Sequence, residues 1–515
     1  MTTAPSDLIA SHWTPIPGDS LRSHNPAAPS QIIWQGSPVM AHLDAAVAAA
    51  RAACAEWSAW DIERRADVLR RYQAICKRRE AEMAELILVE TGKPAWDSAG
   101  EAKLLSDKVD ITLESGPNSG RHRVSPFELS LTPTRRAKTL FRPHGVMAVI
   151  GPFNFPAHLP NGHIVPALLM GNTIVFKPSD KAPAVGQLLA SFFLEALQSA
   201  GAPAGVFNLV HGAGDIAAAL SVHDDIDGVL FTGSWPVGRR IMQANLDNPG
   251  RMIALEMGGN NAAVVLPDAD LKQAAVEAVR CAFITAGQRC TCTRRVIVHR
   301  AVADRFTRML VECAKALAIG DPRGVNGAPV FLGPVIRDEA RKAVLDFQTD
   351  LLRAGASSLL ESRPHSSETG GHFITPGILQ VSRFSLAAEP RKDAGCDVEV
   401  FGPLLRISTA DSLDDAIVQA NASRYGLAAS IFTADTSAAA RFSHEAKAGC
   451  VNINTGTAGA SSRLPFGGLD RSGNHRPAGA FSLDYCAFPV ASMVEAGGSV
   501  AIPAGMRWDD AWLAQ

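Results

Sequence analysis

Apolar positions first recur at helical spacing along the chain and then gather in short runs. Residues 43–77 are rich in Ala and Arg and break only at 57–61, which predicts two helices of a surface layer. Residues 80–91 predict a third, stopped by Gly92 with Pro94 just beyond. From Gly145 the texture changes. Runs 146–150, 173–176, 206–210, 228–232 and 252–255 read as strands, alternating with helices over 183–200, from Asp215 and from about Pro236. Such alternation predicts a parallel sheet with helices on both faces, whose ligands sit at the carboxyl ends of the strands. Past Gly258 the pattern resumes with a strand at 262–266 and a helix at 271–286, a second α/β unit running to roughly Val451. Segments 122–142, with a β-prone stretch at 127–132, and 482–494 fit neither unit. Both predict strands that leave the body of the subunit with edges in need of a partner.

Composition narrows the class. Of 515 residues 47% are apolar, enough for a large core, and 49 basic residues balance 51 acidic ones. That balance gives no electrostatic reason to expect a nucleic-acid or anionic-membrane partner. No basic n-region and apolar run opens the chain, and the greasiest region, 153–176, is broken by Pro156, Pro160, Gly162, Pro166 and Gly171. Neither a secretory signal nor a membrane span is expected. Nine cysteines without a CxxC pair suggest reduced thiols in the cytoplasm and no structural metal.

Chemistry-bearing residues sit where the predicted elements end. Gly287-Gln288-Arg289-Cys290 follows the predicted helix in a Gly- and Thr-rich turn. A cation beside the thiol, here Arg289, favours the nucleophilic thiolate. A lone Cys is as often a small buried residue, and Cys281, Cys313 and Cys450 read that way. Leu255-Glu256-Met257-Gly258-Gly259 ends an apolar strand with one acid. Low dielectric there can raise the carboxyl into a range useful to a base, although a salt-bridged strand end fits equally well. Phe231-Thr232-Gly233-Ser234-Trp235-Pro236-Val237-Gly238 is strand, glycine turn and helix start, whose N–H groups can hold a diphosphate. Its GxxxxG spacing differs from the usual GxGxxG, and a plain turn fits too.

In Phe176-Lys177-Pro178-Ser179-Asp180, Lys177 can reach a cofactor phosphate or ribose hydroxyl and Asp180 a ribose diol; a solvated turn is the alternative. Gly151-Pro152-Phe153-Asn154-Phe155-Pro156 sets one amide among apolar residues, where a free N–H would suit an oxyanion and a turn-former is the alternative.

The order of these motifs decides among the alternatives. GPFNFP, FKPSD, FTGS, LEMGGN, GQRC, EVFGP and PFGG run in the order of the aldehyde dehydrogenase superfamily, which the chain resembles from about Asn25 to Val494. The resemblance implies an α/β fold with two doubly wound parallel-sheet domains and a small β oligomerisation domain. Residues 1–120 and 145–255 would bind NAD, 256–454 would carry catalysis, and 121–144 with 470–500 would supply oligomerisation strands. It implies Cys290 as nucleophile, Asn154 as oxyanion donor and Glu256 as the base that hydrolyses the thioester.

By the same resemblance Glu399 and Phe401 hold the nicotinamide ribose, Lys177 the adenosine ribose, and Gly233 to Gly238 the phosphates, with Pro152, Phe153 and Ser179 beside the cofactor. Asp180 favours NAD over NADP, because a carboxylate repels a 2′-phosphate; Lys181 opposes this. A closer resemblance, to N-succinylglutamate 5-semialdehyde dehydrogenases of arginine breakdown, rests on 158–166, 256–261, 290–292 and 472–477. An acidic semialdehyde is then the expected substrate, with other carboxylated semialdehydes as the alternative and a non-redox cysteine acyl hydrolase as the rival class. Such a substrate needs cations at the site mouth. Arg289 and Arg463 are the candidates, with Phe466 beside them; a surface ion pair fits Arg463 equally. Three features depart from the family pattern: the bulky Trp235-Pro236-Val237, Val398 in place of an acid, and Asn454-Thr455-Gly456-Thr457 on the expected substrate-entrance loop. A homodimer or dimer of dimers is expected from the two orphan β segments.

Overall fold

The computed structural model describes residues 4–386, 396–497 and 500–514. Its first sheet has seven strands in the order Met252–Glu256, Gly228–Thr232, Val146–Ile150, Thr173–Lys177, Phe207–Leu209, Ser6–Ile9 and His12–Pro15. The first five are parallel, and the N-terminal hairpin closes one edge antiparallel. Alternate side chains of a strand face opposite ways. Accordingly Met147, Val149, Ile174 and Phe176 join one core with helices Ile62–Arg78, Glu80–Thr91, Ala95–Leu113 and Pro183–Ser199. Val146, Ala148, Ile150 and Val175 join another with helices Met40–Ala59 and Gly214–Val222. Both faces are covered, which is why these strands read as unbroken apolar runs.

The second sheet also has seven strands, ordered Ser357–Leu360, Gly377–Gln380, Leu404–Ala410, Thr293–His299, Asn261–Val265, Ala428–Phe432 and Cys450–Ile453. It is parallel apart from the edge strand Ser357–Leu360. Only residues 257–260 join Met252–Glu256 to Asn261–Val265, so the two sheets meet at the candidate base.

The orphan segments find each other. Phe127–Ser130, Arg135–Pro143 and Ala487–Glu495 form a three-stranded antiparallel sheet. Phe127, Leu129, Phe488, Met493 and Val494 stay exposed on it. Among the described residues, the outer edge of Phe127–Ser130 pairs with no strand.

One expected helix is shorter than its pattern. The predicted 271–286 is α-helical only over Leu271–Phe283, and Thr285 and Ala286 then turn left-handed at φ 54° and 51°. Left-handed backbone at non-glycine residues costs about 1 kcal/mol or more each and persists only where tertiary contacts impose it. Here Thr285 Oγ1 donates to Asp97 Oδ2 at 2.6 Å and accepts from Arg289 Nε at 2.7 Å. At Gly287, φ 72°, a Cβ would lie 2.2 Å from the Gly402 carbonyl oxygen. The turn that carries Cys290 is thus set by distant partners that helical periodicity cannot report.

Candidate active site

Glu256 ends its strand 5% exposed. Neither carboxyl oxygen meets a donor at hydrogen-bond geometry. Burial pushes its pKa well above the usual carboxylate range, and the nearby Ala478 backbone opposes only in part. Gly467 lies directly against it: a Cβ there would be 3.0 Å from Glu256 Oε1.

Cys290 is half-buried in the turn before strand Thr293–His299. Its carbonyl oxygen accepts from Asn261 Nδ2 at 2.7 Å. A Cβ on Gly259 would approach that same oxygen to 2.4 Å. The stretch Gly258-Gly259-Asn260-Asn261 therefore fastens the nucleophile's turn beside the base. Burial raises the Cys290 thiol strongly, followed by the negative charges of Glu399 and Glu256, while the Thr291 backbone opposes. Arg289 does not relieve this. Its Nη2 lies 2.7 Å from Asp97 Oδ1, and its guanidinium stacks 4.8 Å from the Phe155 ring. Burial likewise raises the fully buried Cys292, opposed by the charge of Arg294 and then that of Arg289.

Asn154, 6% exposed, donates one amide N–H to the Gln288 carbonyl at 2.9 Å. A side-chain amide has two N–H bonds, so the second remains for another acceptor. Its loop is held from below. Glu101 accepts from the Ala157 and His158 N–H groups at 3.0 and 3.1 Å and is paired with the buried Lys93 at 2.5 Å. The Gly151 N–H donates to the Lys177 carbonyl at 3.0 Å, joining this loop to the end of the neighbouring strand.

The remaining candidates line the same end of the first sheet. Lys177 ends strand Thr173–Lys177 and is buried, and burial lowers its pKa to about 8. Ser179 Oγ accepts from the Lys181 N–H at 3.2 Å and lies 3.4 Å from Asp180 Oδ1. Lys181 Nζ stands 4.8 Å over the Phe153 ring. After Gly233, helix Trp235–Ala244 opens with Ser234 as N-cap, whose side chain makes no capping bond, and Pro236 brings no N–H. Val237 and Gly238 already donate to the Ser234 carbonyl at 3.1 and 3.0 Å. A Cβ on Gly238 would strike Met257 Sδ at 2.3 Å, which explains the small residue there. Trp235 lies under Arg471 at 5.5 Å.

Glu399 accepts from the Gly259 N–H at 2.9 Å, and burial raises it to about 7 against the opposing charge of Arg294. Gly258 leaves room for it: a Cβ would be 1.8 Å from Glu399 Oε2. Phe401 meets Phe153 edge-on at 5.8 Å, with Pro152 alongside in sequence.

One cavity of about 600 Å³ contains Glu256 and Cys290 together with Arg289, Arg463 and Phe466. The two arginines differ from the expected free cations. Arg289 is paired as above, and the exposed Arg463 pairs with Glu114 at 2.7 Å. The 454–457 stretch is a brace rather than a lining. Thr455 and Gly456 bind Glu277, and Thr457 donates to the Thr291 carbonyl at 2.6 Å; the lining begins at Ala458. Lys108, His158 and His163 also face the cavity; the two histidines fall in the 158–166 stretch noted above, whereas no motif singled out Lys108. Lys108 was visible in principle. It shares the inward stripe of Ser98, Glu101, Ala102, Leu105 and Val109 on helix Ala95–Leu113, where a lysine is out of place.

The chain is similar to known proteins over nearly its whole length. The aldehyde dehydrogenase family profile matches residues 13–488, and the chain belongs to that family. Membership makes it an oxidoreductase acting on aldehydes. It is 41% identical over 493 residues to the N-succinylglutamate 5-semialdehyde dehydrogenase of Paraburkholderia xenovorans, covering 95% of this chain and 96% of that one. The protein so named from Chromobacterium violaceum is 41% identical over 499 residues, 96% and 98% of the two chains. Among solved structures, an indole-3-acetaldehyde dehydrogenase complexed with NAD+ superposes with a TM-score of 0.88 at 27% identity, covering 96% and 97%. The glyceraldehyde-3-phosphate dehydrogenase of Methanocaldococcus jannaschii, complexed with NADP, gives 0.83 at 27%, covering 93% and 100%.

Proposed function

We propose that this chain oxidises an acidic semialdehyde to its carboxylic acid with NAD, N-succinyl-L-glutamate 5-semialdehyde being the first candidate. The observation that carries the reaction is Cys290 and Glu256 in one cavity, the base buried without a donor. The name shared by relatives at 41% identity over nearly the whole chain supports the substrate.

The Cys290 thiol gives up its proton to solvent and its Sγ attacks the aldehyde carbon. The second amide N–H of Asn154, with the Cys290 backbone N–H, receives the oxyanion. NAD, held by Lys177, the turn at Gly233 to Gly238, Glu399 and Phe401, would supply the hydride acceptor that lets the thiohemiacetal on Cys290 become a thioester. Glu256 then takes a proton from the water that hydrolyses that thioester, a task its raised pKa suits. A dinucleotide fits the residues present. Lys177 is buried without a carboxylate in ion-pair range among the described residues. The start of helix Trp235–Ala244 lacks a side-chain cap, and Glu399 reaches across Gly258 only because no Cβ stands there. The division at 255/256 into cofactor and catalytic halves belongs to the same reading.

Two further parts of the proposal concern the setting. The exposed apolar sheet of Phe127–Ser130, Arg135–Pro143 and Ala487–Glu495 suits pairing in a homodimer or dimer of dimers, checked by light scattering. Nine free cysteines suit the reducing cytoplasm, and among the described residues no helix is long and apolar enough to cross a membrane.

The test is a panel of aldehydes assayed by NADH formation. N-succinyl-L-glutamate 5-semialdehyde should give the highest kcat/KM, and a shorter ω-semialdehyde acid in first place would reassign the substrate within its class. A higher kcat/KM for an uncharged aliphatic aldehyde than for every carboxylated one overturns the substrate class.

A further inference from the structure

Three cations line the catalytic cavity, and they differ in one respect. Arg289 has Asp97 and Arg463 has Glu114. Lys108 has no carboxylate in ion-pair range among the described residues, although it is only 3% exposed. Its Nζ donates to two neutral oxygens, the Gly479 carbonyl and Ser482 Oγ, each at 2.8 Å. An ammonium has three N–H bonds, so one is left. Its charge is felt inside the cavity. It helps hold both His158 and His163, which share the lining, in the neutral form, second in each case to burial. Burial without a counter-ion lowers Lys108 itself to about 8. A buried charge left without its partner is costly, and an anionic ligand removes that cost.

We propose that Lys108 is the specificity residue of this site, binding the substrate carboxylate that lies at the far end of a five-carbon chain from the aldehyde on Cys290. The inference rests on the acidic-semialdehyde reading above and deepens it. A point-like ammonium with one free N–H suits a single carboxylate oxygen, whereas each arginine already has a carboxylate beside it, Asp97 for Arg289 and Glu114 for Arg463. Gly479, whose carbonyl accepts from Lys108, directly follows Ala478, whose backbone lies near Glu256, so one short stretch of chain passes both the base and Lys108.

The test compares 5-oxopentanoate with pentanal, two aldehydes of equal length that differ in the terminal charge. In the wild type, the ratio of their kcat/KM values tests the acidic-substrate reading by itself. In Lys108→Gln that ratio should fall about ten- to hundredfold, the usual worth of a hydrogen bond to a charged group, through KM for 5-oxopentanoate. Pentanal should stay within about threefold on the same scale. Lys108→Arg should restore part of the preference. A purely structural role, through Gly479 and Ser482, would lower both substrates together, and that outcome overturns the proposal, as does an unchanged ratio. Should Lys108→Gln fail to fold, the wild type decides: glutarate should protect Lys108 from reductive methylation, read by peptide mass spectrometry. Absence of protection at glutarate concentrations that inhibit turnover of 5-oxopentanoate refutes the assignment.

Discussion

Replacing Glu256 with Gln separates the two halves of the proposed reaction. The side chain is nearly isosteric, so the close approach of Gly467, 3.0 Å from a built Cβ to Glu256 Oε1, is preserved. What disappears is the proton acceptor. General-base assistance is worth about 100- to 10,000-fold, so steady-state kcat should fall by that factor. Attack by Cys290 should survive. The charge of Glu256 raises the thiol's pKa, and a neutral amide removes that influence. Rapid mixing with NAD and aldehyde should therefore show a burst of NADH equal to the enzyme present, with the acyl group on Cys290 visible by mass spectrometry. Unchanged steady-state turnover, or loss of the burst along with it, would refute the role.

The pH dependence follows from the direction of the shift. Burial keeps Glu256 protonated above the usual carboxylate range, so wild-type kcat should climb with pH through the raised value, and the Gln variant should lack that limb. Stability moves the opposite way. A group whose folded pKa is raised gives its full stabilisation below the unfolded value and loses it as pH rises through the folded one. The Tm of Glu256→Gln, relative to wild type, should thus improve as pH rises above the usual carboxylate range.

The other predictions are briefer. Cys290→Ala should abolish turnover and Cys292→Ala should retain most of it, since Cys292 is fully buried with Sγ directed at the Ile284 carbonyl at 3.8 Å; the reverse result in a steady-state assay reassigns the nucleophile. Gly258→Ala would place a Cβ 1.8 Å from Glu399 Oε2, so KM for NAD should rise about tenfold or more if Glu399 makes one charge-assisted bond to the cofactor, and an unchanged KM removes Glu399 from the site. NAD should exceed NADP in kcat/KM because Asp180 repels a 2′-phosphate, a preference opposed by Lys181; equal values would show that Lys181 wins.

What the sequence disclosed and what it hid differ in range along the chain. Strands Val146–Ile150 and Gly228–Thr232 and the stop at Gly92, φ 74°, were legible because each depends on a few neighbouring residues. The motifs were legible for the same reason, since each is a turn at the end of one element. The end of helix Leu271–Phe283 was not, because Asp97 and Gly402 impose it from afar. The orphan strands were legible as strands, but their pairing with one another joins Pro143 to Ala487, which no local pattern reports.

The substrate cavity is the extreme case of that distance. Its chemistry end is built from motif residues, while its far end comes from helix Ala95–Leu113, residues 458–466 and residues 478–479. Apart from Pro465-Phe466 at the start of PFGG, those segments carry no motif, and ion pairing decides which of their charges remain available. Sequence reasoning reached for arginines near the motifs, and folding had already satisfied both with carboxylates. The cation left over lies on a helix whose pattern marks the position as interior. In a family whose catalytic end is fixed by shared motifs, specificity has to be written in such positions, because the far wall of the cavity is where one aldehyde's remainder differs from another's. The useful sequence signal for substrate class is then a cation on an inward helical stripe. Lys108 is that signal in this chain, and its worth is measured by how far its removal narrows the gap between 5-oxopentanoate and pentanal.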